Sequence, residues 1–198
     1  MLNIREKKEK RKTEIISASI SVFASKGYHD ASIFDIIQKA KIARGTFYLY
    51  FKSKRDIFDS IIDDLLTDLD ESIRKIDIYD TNRGPVEQLK MNLRRVFELL
   101  HANAGLREIW LHRAWSLDKE CVQKLTDFNS QVTDQIESAL KQGMSIGIVR
   151  KCNTKIIASG IIGLIKEVSG SMKQHNEISI DELIDEIVDF GLNGLSPN

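Results

Sequence analysis

Apolar residues recur along nearly the whole of this chain at the spacing of α-helices, and few residues interrupt that spacing. Of its 198 residues, only 2 are proline and 11 are glycine. Proline and glycine are the residues that most disfavour a helix interior, so their scarcity permits long helices. No segment alternates apolar and polar residues as a half-buried strand does. The sequence therefore predicts an all-α fold.

Residues that begin or end helices divide the chain into about nine segments. Gly27 is placed to end the first helix, and Ser32 and Ser53 can cap the second and the fourth through their hydroxyl groups. Gly84 followed by Pro85 is the clearest break, because the pair ends one helix and can begin another. The predicted helices are residues 5–26, 33–40, 44–51, 54–78, 86–103, 106–117, 119–145, 154–174 and 180–194.

Composition and motif content exclude several classes of protein. Hydrophobic residues make up 42% and charged residues 29% of the chain, which is typical of a globular protein and not of a disordered one. Its 2 cysteines are too few for a disulfide scaffold. His101 and His112 have no third ligand at a suitable spacing, so we expect no metal and no cofactor. No nucleophile–base pair, phosphate-binding loop or pair of carboxylates indicates an enzyme.

The sequence carries no signal of export or of a membrane span. Its longest apolar run, residues 156–165, has roughly half the length that a bilayer requires. The N-terminus is charged and lacks an apolar signal core. We therefore expect a cytoplasmic protein without a membrane partner.

The formal net charge of zero hides an uneven distribution of charge along the chain. Residues 1–55 contain 13 Lys and Arg against 5 Asp and Glu, a balance of +8, whereas residues 56–198 contain 16 against 24, a balance of −8. A basic N-terminal part on an acidic body indicates a surface for a polyanion. The acidic body would repel DNA and so limit binding to the N-terminal part.

Two short helices joined by a tight turn, behind a basic first helix, describe a helix-turn-helix unit. On a helical wheel of the third helix, Phe47 and Phe51 share one face, which we expect to be buried. Gly45 and Leu49 then point outward, and Arg44 lies at the leading end. An exposed Leu49 suits contact with a thymine methyl group or a sugar. The alternative is that residues 44–55 are only the solvated end of a small helical bundle.

Residues 27–58 resemble the N-terminal region of the tetracycline-repressor (TetR) family in order and spacing. The most diagnostic pieces are GTFY at residues 45–48 and YFKSK at residues 50–54. Three positions depart from the family pattern, which usually has Ala at Ile37, Gly at Lys41, and Ser or Thr at Ala43. A left-handed backbone at Lys41 would cost about 1 kcal/mol, and Ala43 forgoes a side-chain cap of about the same size. Beyond roughly the first 60 residues, only the helix layout agrees.

In members of the family the third helix lies in the major groove, which implies roles for individual residues here. The candidates for contacts with base edges are Arg44, Gly45, Thr46 and Leu49. Arg44 can pair with both groove-side acceptors of guanine. The start of the second helix, at Ser32, can offer backbone N–H groups to a phosphate. The full predicted DNA-binding set, which includes further phosphate contacts, is Ser32, Arg44, Gly45, Thr46, Tyr48, Leu49, Tyr50, Lys52 and Lys54.

Residues 5–12 contain six cations in eight residues. Two interpretations of this stretch are open. It is an arm that runs along or into the minor groove, or it is a frayed and solvated start of the first helix.

Family members are homodimers whose last two helices form a four-helix bundle with their symmetry mates, which implies the same here. The predicted helix at residues 154–174 supports this, because apolar residues cover too much of its circumference for one buried face. The alternative is a helix buried inside a monomer. A two-fold dimer would bind a palindromic operator in double-stranded DNA. The predicted interface residues are Ile157, Ile161, Leu164, Ile165, Ile184, Ile187 and Val188.

Two domains are expected: a helix-turn-helix DNA-binding domain at residues 1–53 and an effector-binding and dimerisation domain at residues 54–198, linked by the helix at about 54–78. Family members usually carry the effector pocket among the middle helices. The candidate pocket residues are Met91, Phe97, His101, Trp110, Trp115 and Phe128. Each of them alone is more typical of a core residue.

Together these features predict a DNA-binding transcriptional regulator and not an enzyme. We expect a repressor that a small apolar or amphipathic effector releases from its operator by favouring another conformation. The alternative is a helical ligand-binding or interaction protein without specific DNA binding, which would show an eroded N-terminal motif.

Overall fold

The computed structural model describes residues 3–171 and 178–195, and every regular element in these two ranges is helical. The helices are α1 (Ile4–Lys26), α2 (Ile33–Ala40), α3 (Arg44–Tyr48), α4 (Lys54–Ser72), α5 (Pro85–Ala102), α6 (Ala104–Glu108), α7 (Lys119–Ser145), α8 (Thr154–Ser171) and α9 (Ile180–Leu195). Over the described ranges, the prediction of an all-α fold of about nine helices is confirmed. The predicted end of the eighth helix at residue 174 lies outside them.

The third helix is shorter than the predicted residues 44–51. It ends at Tyr48, and the chain then closes into a tighter turn. The N–H groups of Tyr50 and Phe51 both donate to the carbonyl of Phe47, each at 3.0 Å. The carbonyl of Phe47 therefore accepts two hydrogen bonds, from the residues three and four positions later. Such three-centre arrangements are common where helices end.

Two further helices differ from the prediction. The fourth ends at Ser72, before residue 78, because the amide of Asn92 holds the backbone that follows: its Nδ2 donates to the Arg74 carbonyl at 2.7 Å, and its Oδ1 accepts the Arg74 N–H at 3.1 Å. The predicted helix at residues 106–117 is not continuous. It consists of the end of α6, a π-helical turn (Ile109–Arg113) and a 3₁₀ turn (Ala114–Ser116).

The chain packs as two compact units. The first comprises residues 1–67 and 104–123, and the second comprises residues 68–103 and 124–198. The predicted division between residues 53 and 54 concerns function rather than packing, so it stays a prediction.

Aromatic side chains form the core of the first unit. Phe23 and Phe58 are fully buried and meet edge to face, with their ring centroids 5.3 Å apart. Tyr28 packs against Phe58 in the same manner at 5.0 Å. α6 approaches α1 at Gly105, where a Cβ atom would lie 2.7 Å from Cγ2 of Ile20. The close packing of α6 on α1 therefore requires glycine at position 105.

The second unit has its own core between α5 and α9. Its buried members are Leu93, Phe97, Ile184 and Val188. An exposed ion pair between Lys90 and Asp185, 2.6 Å apart, also joins the two helices. Exposed pairs contribute little to stability, so the apolar cluster holds α9 on α5. Across the described residues of both units, no helix is long and apolar enough to cross a membrane.

The turn between α2 and α3 forms without glycine. Lys41 adopts the left-handed conformation, with φ 52° and ψ 48°, and it alone of the described non-glycine residues has a positive φ. The turn is closed by the N–H of Ile42, which donates to the carbonyl of Ile37 at 3.2 Å. Ala43 then begins α3 with no side-chain cap. The structure therefore has both of the unfavourable features expected at this turn, the left-handed backbone at Lys41 and the missing side-chain cap at Ala43.

Replacing Lys41 by glycine should stabilise the protein. Glycine removes the steric cost of the left-handed backbone, although it also gives the unfolded chain more freedom. We expect Lys41→Gly to raise the free energy of unfolding by about 0.5 kcal/mol, as measured by urea denaturation. Lys39→Gly is the matched control. Because Lys39 lies within α2, this change should lower the free energy of unfolding by about 1 kcal/mol. Equal destabilisation by both variants would contradict the assignment of strain to Lys41.

Candidate nucleic-acid interface

α3 has one buried face and one exposed face. Phe47 is fully buried, Phe51 is 3% exposed, and their ring centroids lie 6.0 Å apart. On the opposite side, Leu49 is 78% exposed, and a Cβ atom at Gly45 would meet no atom within 4 Å. The sequence predicted this division of the helix. The exposed face leaves the backbone at Gly45 open to close approach by another surface.

The leading end of α3 carries a positioned cation. Arg44 is exposed, and its guanidinium carbon lies 5.9 Å from the ring centroid of Tyr48. At this distance, near the limit of a cation–π contact, the guanidinium keeps its planar set of donors available for a paired contact with guanine. Thr46 is half-buried beside this face. The structure thus brings together the four candidates for contacts with base edges.

α2 begins with a reciprocal cap. The N–H of Asp35 donates to Oγ of Ser32 at 3.2 Å, and the N–H of Ser32 donates to Oδ2 of Asp35 at 2.9 Å. Nζ of Lys26 in α1 also donates to Asp35, at 2.7 Å. The hydrogen bond from Lys26, followed by those from Ser32, lowers the pKa of Asp35 to about 2. The cap fixes the start of α2, where Ser32 was predicted to face a phosphate.

The remaining predicted phosphate contacts differ in their surroundings. Lys52 is exposed, and its backbone N–H donates to Oδ2 of Asp56 at 2.7 Å. The predicted cap of α4 is present, since the N–H of Asp56 donates to Oγ of Ser53 at 3.0 Å. Tyr50 is half-buried and Tyr48 is 44% exposed. Both tyrosines therefore lie next to the exposed face of α3.

Lys54 has a role that the sequence did not reveal. Its ammonium group donates to the carbonyls of Tyr28 at 2.6 Å, His29 at 3.2 Å and Ala31 at 2.7 Å. It also lies 4.4 Å from the ring centroid of Tyr28. Its three N–H donors are therefore used to hold the loop between α1 and α2. Any residue type can provide a backbone carbonyl, so these hydrogen bonds leave no pattern in the sequence. The motif alone therefore suggested only a phosphate contact for Lys54.

Arg55, the next residue of α4, binds carboxylates within the first unit. Nε of Arg55 donates to Asp59 at 2.7 Å, Nη1 donates to Asp118, and Nη2 donates to Glu120 at 3.4 Å. Asp118 also accepts the N–H of Cys121 at 2.9 Å at the start of α7. That hydrogen bond, and secondly the one from Arg55, lowers the pKa of Asp118. The charge of Arg55 thus joins α4 to the start of α7.

The predicted pocket residues do not share one environment. Phe97 is fully buried in the core between α5 and α9, and Trp110 is 5% exposed within the first unit. His101 is exposed. Met91, Trp115 and Phe128 are half-buried, which leaves part of each side chain accessible. Phe97 therefore serves as core, as the alternative interpretation of these residues held.

The predicted interface residues also fall into two groups. Ile184 and Val188 are 1% and 3% exposed because they pack against α5 in their own chain. The others are half-buried, and they are Ile157, Ile161, Leu164, Ile165 and Ile187. The predicted set leaves out two exposed apolar side chains on these helices: Ile156, which is 68% exposed and belongs to the apolar run noted in the sequence, and Phe190, which is 73% exposed and which sequence reasoning missed.

Comparison with known proteins identifies the class. Residues 15–61 match the model of the tetR family of bacterial regulatory proteins, and residues 82–195 match the model of a tetracyclin repressor-like C-terminal domain. The chain belongs to the TetR family and is a DNA-binding transcriptional regulator.

The chain is similar to several named relatives and solved structures. The fatty acid metabolism regulator protein of Bacillus subtilis is 26% identical over 82% of this chain and 83% of its own length. A structure from Clostridium perfringens, provisionally described as a fatty acid metabolism regulator, is 29% identical, with a TM-score of 0.75 over 93% of this chain and 100% of that one. FadR of Bacillus subtilis in complex with stearoyl-CoA shares the fold, at 23% identity and a TM-score of 0.69 over 92% and 98% of the two chains.

The low pKa of Asp35 predicts an acid-sensitive N-terminal unit. A carboxyl whose folded pKa lies below its ordinary value stabilises the fold above that ordinary value, and the contribution disappears as the pH falls through the folded pKa. For Asp35 the window runs from about pH 4 down to about pH 2. The stability advantage of wild type over Asp35→Asn should be constant at neutral pH and shrink within this window. Urea denaturation at a series of pH values measures it, and an advantage that persists unchanged at pH 2 would refute the prediction.

Lys52 and Lys54 form a matched pair that separates a phosphate contact from a positioning role. Losing one phosphate contact lowers the slope of log affinity against log salt by about 0.9. We expect this for Lys52→Gln, whose thermal stability should match that of wild type. Lys54→Gln should keep the slope, weaken DNA binding and lower stability by about 1–3 kcal/mol, because three carbonyls lose a charged donor. A reduced slope with unchanged stability for Lys54→Gln would instead support the phosphate contact.

Proposed function

We propose that this regulator is a repressor whose homodimer binds an operator with two-fold symmetry and leaves it when a fatty acyl-coenzyme A binds. The observation that supports it most is the exposed face of α3. That face presents a positioned guanidinium, an open backbone at Gly45 and an exposed Leu49, on the most basic part of the chain.

The operator contacts follow from the chemistry of that face. Arg44 pairs with the two groove-side acceptors of guanine, and Leu49 meets a thymine methyl group. The absence of a side chain at Gly45 lets α3 lie close to the bases. The proposed phosphate contacts are Tyr48, Tyr50 and Lys52. Ser32 is left out of this set, because its N–H and its hydroxyl both donate to Asp35 in the cap of α2. The functional division at residues 53 and 54 belongs to this proposal, with residues 54–198 responsible for effector binding and dimerisation.

The homodimer is proposed to form through α8 and α9, as in other members of the family. Ile156 and Phe190 are the large apolar side chains most exposed on these helices. Gly160 and Gly163 have open space where a Cβ atom would be, so another helix can approach α8 closely. Ile184 and Val188 are buried within their own chain, and Ile165 and Ile187 pack against the same core. The remaining members of the predicted set, Ile157, Ile161 and Leu164, therefore carry the proposed interface.

The effector class comes from the relatives and suits the amphipathic ligand that the sequence predicted. One relative is named as a fatty acid metabolism regulator, and one structural neighbour holds stearoyl-CoA. An acyl-coenzyme A combines an apolar chain with an anionic head. Met91 and Phe128, both in the second unit, are the pocket candidates that keep accessible apolar surface there. As a regulator of bacterial genes, the protein would act in the cytoplasm, where the DNA is.

Acyl-coenzyme A should release the protein from its operator. A duplex selected for binding would be labelled, and fluorescence anisotropy would follow the complex as acyl-coenzyme A of increasing chain length is added. We expect long-chain thioesters to weaken binding by about tenfold or more, since a coupling of about 1.4 kcal/mol gives that factor. Coenzyme A alone and the matching free fatty acid are the controls. If every chain length left the operator bound, the effector assignment would be wrong, while the DNA-binding assignment would stand.

A further inference from the structure

The first turns of α1 form an ordered helix in solvent. Residues 3–10 are all exposed, and Ile15 is the first buried residue of the helix. A capping box closes the helix: Oδ1 of Asn3 accepts the N–H of Glu6 at 2.8 Å, and the N–H of Asn3 donates to Oε2 of Glu6 at 2.8 Å. The cationic stretch is therefore a capped helix and not a frayed helix start.

Five cations occupy one face of this segment. At 100° per residue they lie within an arc of about 160° that contains no acidic side chain. The members of this face, called the α1 cationic face below, are Arg5, Lys7, Lys8, Arg11 and Lys12. Glu6, Glu9 and Lys10 lie on the remainder of the circumference. One acid borders the face, since Glu14 pairs with Arg11 at 2.7 Å, and both side chains are about 40% exposed or more.

The α1 cationic face continues the buried face of the same helix. Ile15 and Val22 lie in the same arc of the helical wheel as the five cations. Where the helix packs in its unit, this arc is apolar, and in its first three turns the arc is cationic. Like charges this close together repel one another, so the arrangement is stabilised when an anionic partner covers the face.

Other cations of the basic part are used within the fold. Lys26 pairs with Asp35, Lys54 binds three carbonyls, and Arg55 binds carboxylates. The α1 cationic face contributes five of the 13 Lys and Arg among residues 1–55. The ion pair between Arg11 and Glu14 at the border of this face is exposed and contributes little to stability, so a phosphate can replace Glu14 as the partner of Arg11.

We propose that the α1 cationic face binds the phosphate backbone of DNA and adds sequence-independent affinity to operator binding. The inference rests on the proposed function. An α-helix is about 10–12 Å across, whereas the minor groove is only about 6 Å wide, so the segment cannot enter that groove. Residues 5–12 rise about 10 Å along the helix, enough to lie beside several phosphates of a duplex.

Lys8 and Lys10 provide the matched test. They are two residues apart in the same exposed helix, and only Lys8 belongs to the α1 cationic face. Affinity for the selected operator would be measured from 50 to 200 mM salt for Lys8→Gln and Lys10→Gln. Removing one phosphate contact reduces the salt slope by about 0.9, so the defect of Lys8→Gln should be about threefold larger at 50 mM than at 200 mM. Its preferred sequence should be that of wild type, and Lys10→Gln should match wild type in slope.

Identical slopes for wild type and both variants would overturn the inference, and so would a changed sequence preference in Lys8→Gln. Binding of wild type to phosphatidylglycerol vesicles that Lys8→Gln abolishes, with DNA binding intact, would assign the face to a membrane instead and overturn it too. These outcomes leave the proposed function standing. That function fails separately if wild type selects no sequence at all.

Discussion

The burial of Phe47 and Phe51 determines which side chains of this protein can meet DNA. α3 has only five residues, which is too few for a helix that is stable by itself. Its orientation depends on the fully buried ring of Phe47 and on Phe51 behind it. Because successive residues of a helix are about 100° apart, burying the ring of Phe47 places Gly45 and the C-cap residue Leu49 on the outside. The exposed face that we propose to contact DNA is thus a consequence of core packing.

Some cations of the N-terminal part bind groups within the fold, and others remain available to a polyanion. A count of charges does not distinguish the two. Lys54 and Lys26 are both cations of the basic part, yet Lys54 holds the loop between α1 and α2 through three carbonyls, and Lys26 pairs with Asp35. Arg55 binds carboxylates up to the start of α7. Lys52 and four of the five members of the α1 cationic face remain exposed, and the fifth, Lys12, is half-buried. The surface available to a polyanion is therefore smaller than the balance of +8 suggests, and it is concentrated on α1 and on the turn between α3 and α4.

Local rules predicted much of the fold and the exposed face of α3. Gly27 ends α1 with φ 81°, Ser32 caps α2, and Lys41 takes the left-handed conformation, because each depends only on a few neighbouring residues. The π turn at Ile109–Arg113 and the side-chain partners of Lys54 depend on residues distant in sequence. The contacts of Phe97 and Ile184 also depend on residues distant in sequence. Their helical spacing predicted that they would be buried, and the packing of α5 on α9 shows which residues bury them.

The central claim is that Arg44, held beside Tyr48 on the exposed face of α3, contacts a specific base. Selection of bound duplexes from a random DNA pool, by wild type and by Arg44→Ala at near-physiological salt, tests it most directly. The account predicts that wild type enriches an inverted repeat, and that Arg44→Ala loses a guanine preference at one position of each half-site, at a cost of about 1–3 kcal/mol, and keeps the rest. An unchanged preference in Arg44→Ala would contradict it, as would a wild-type pool without an enriched repeat.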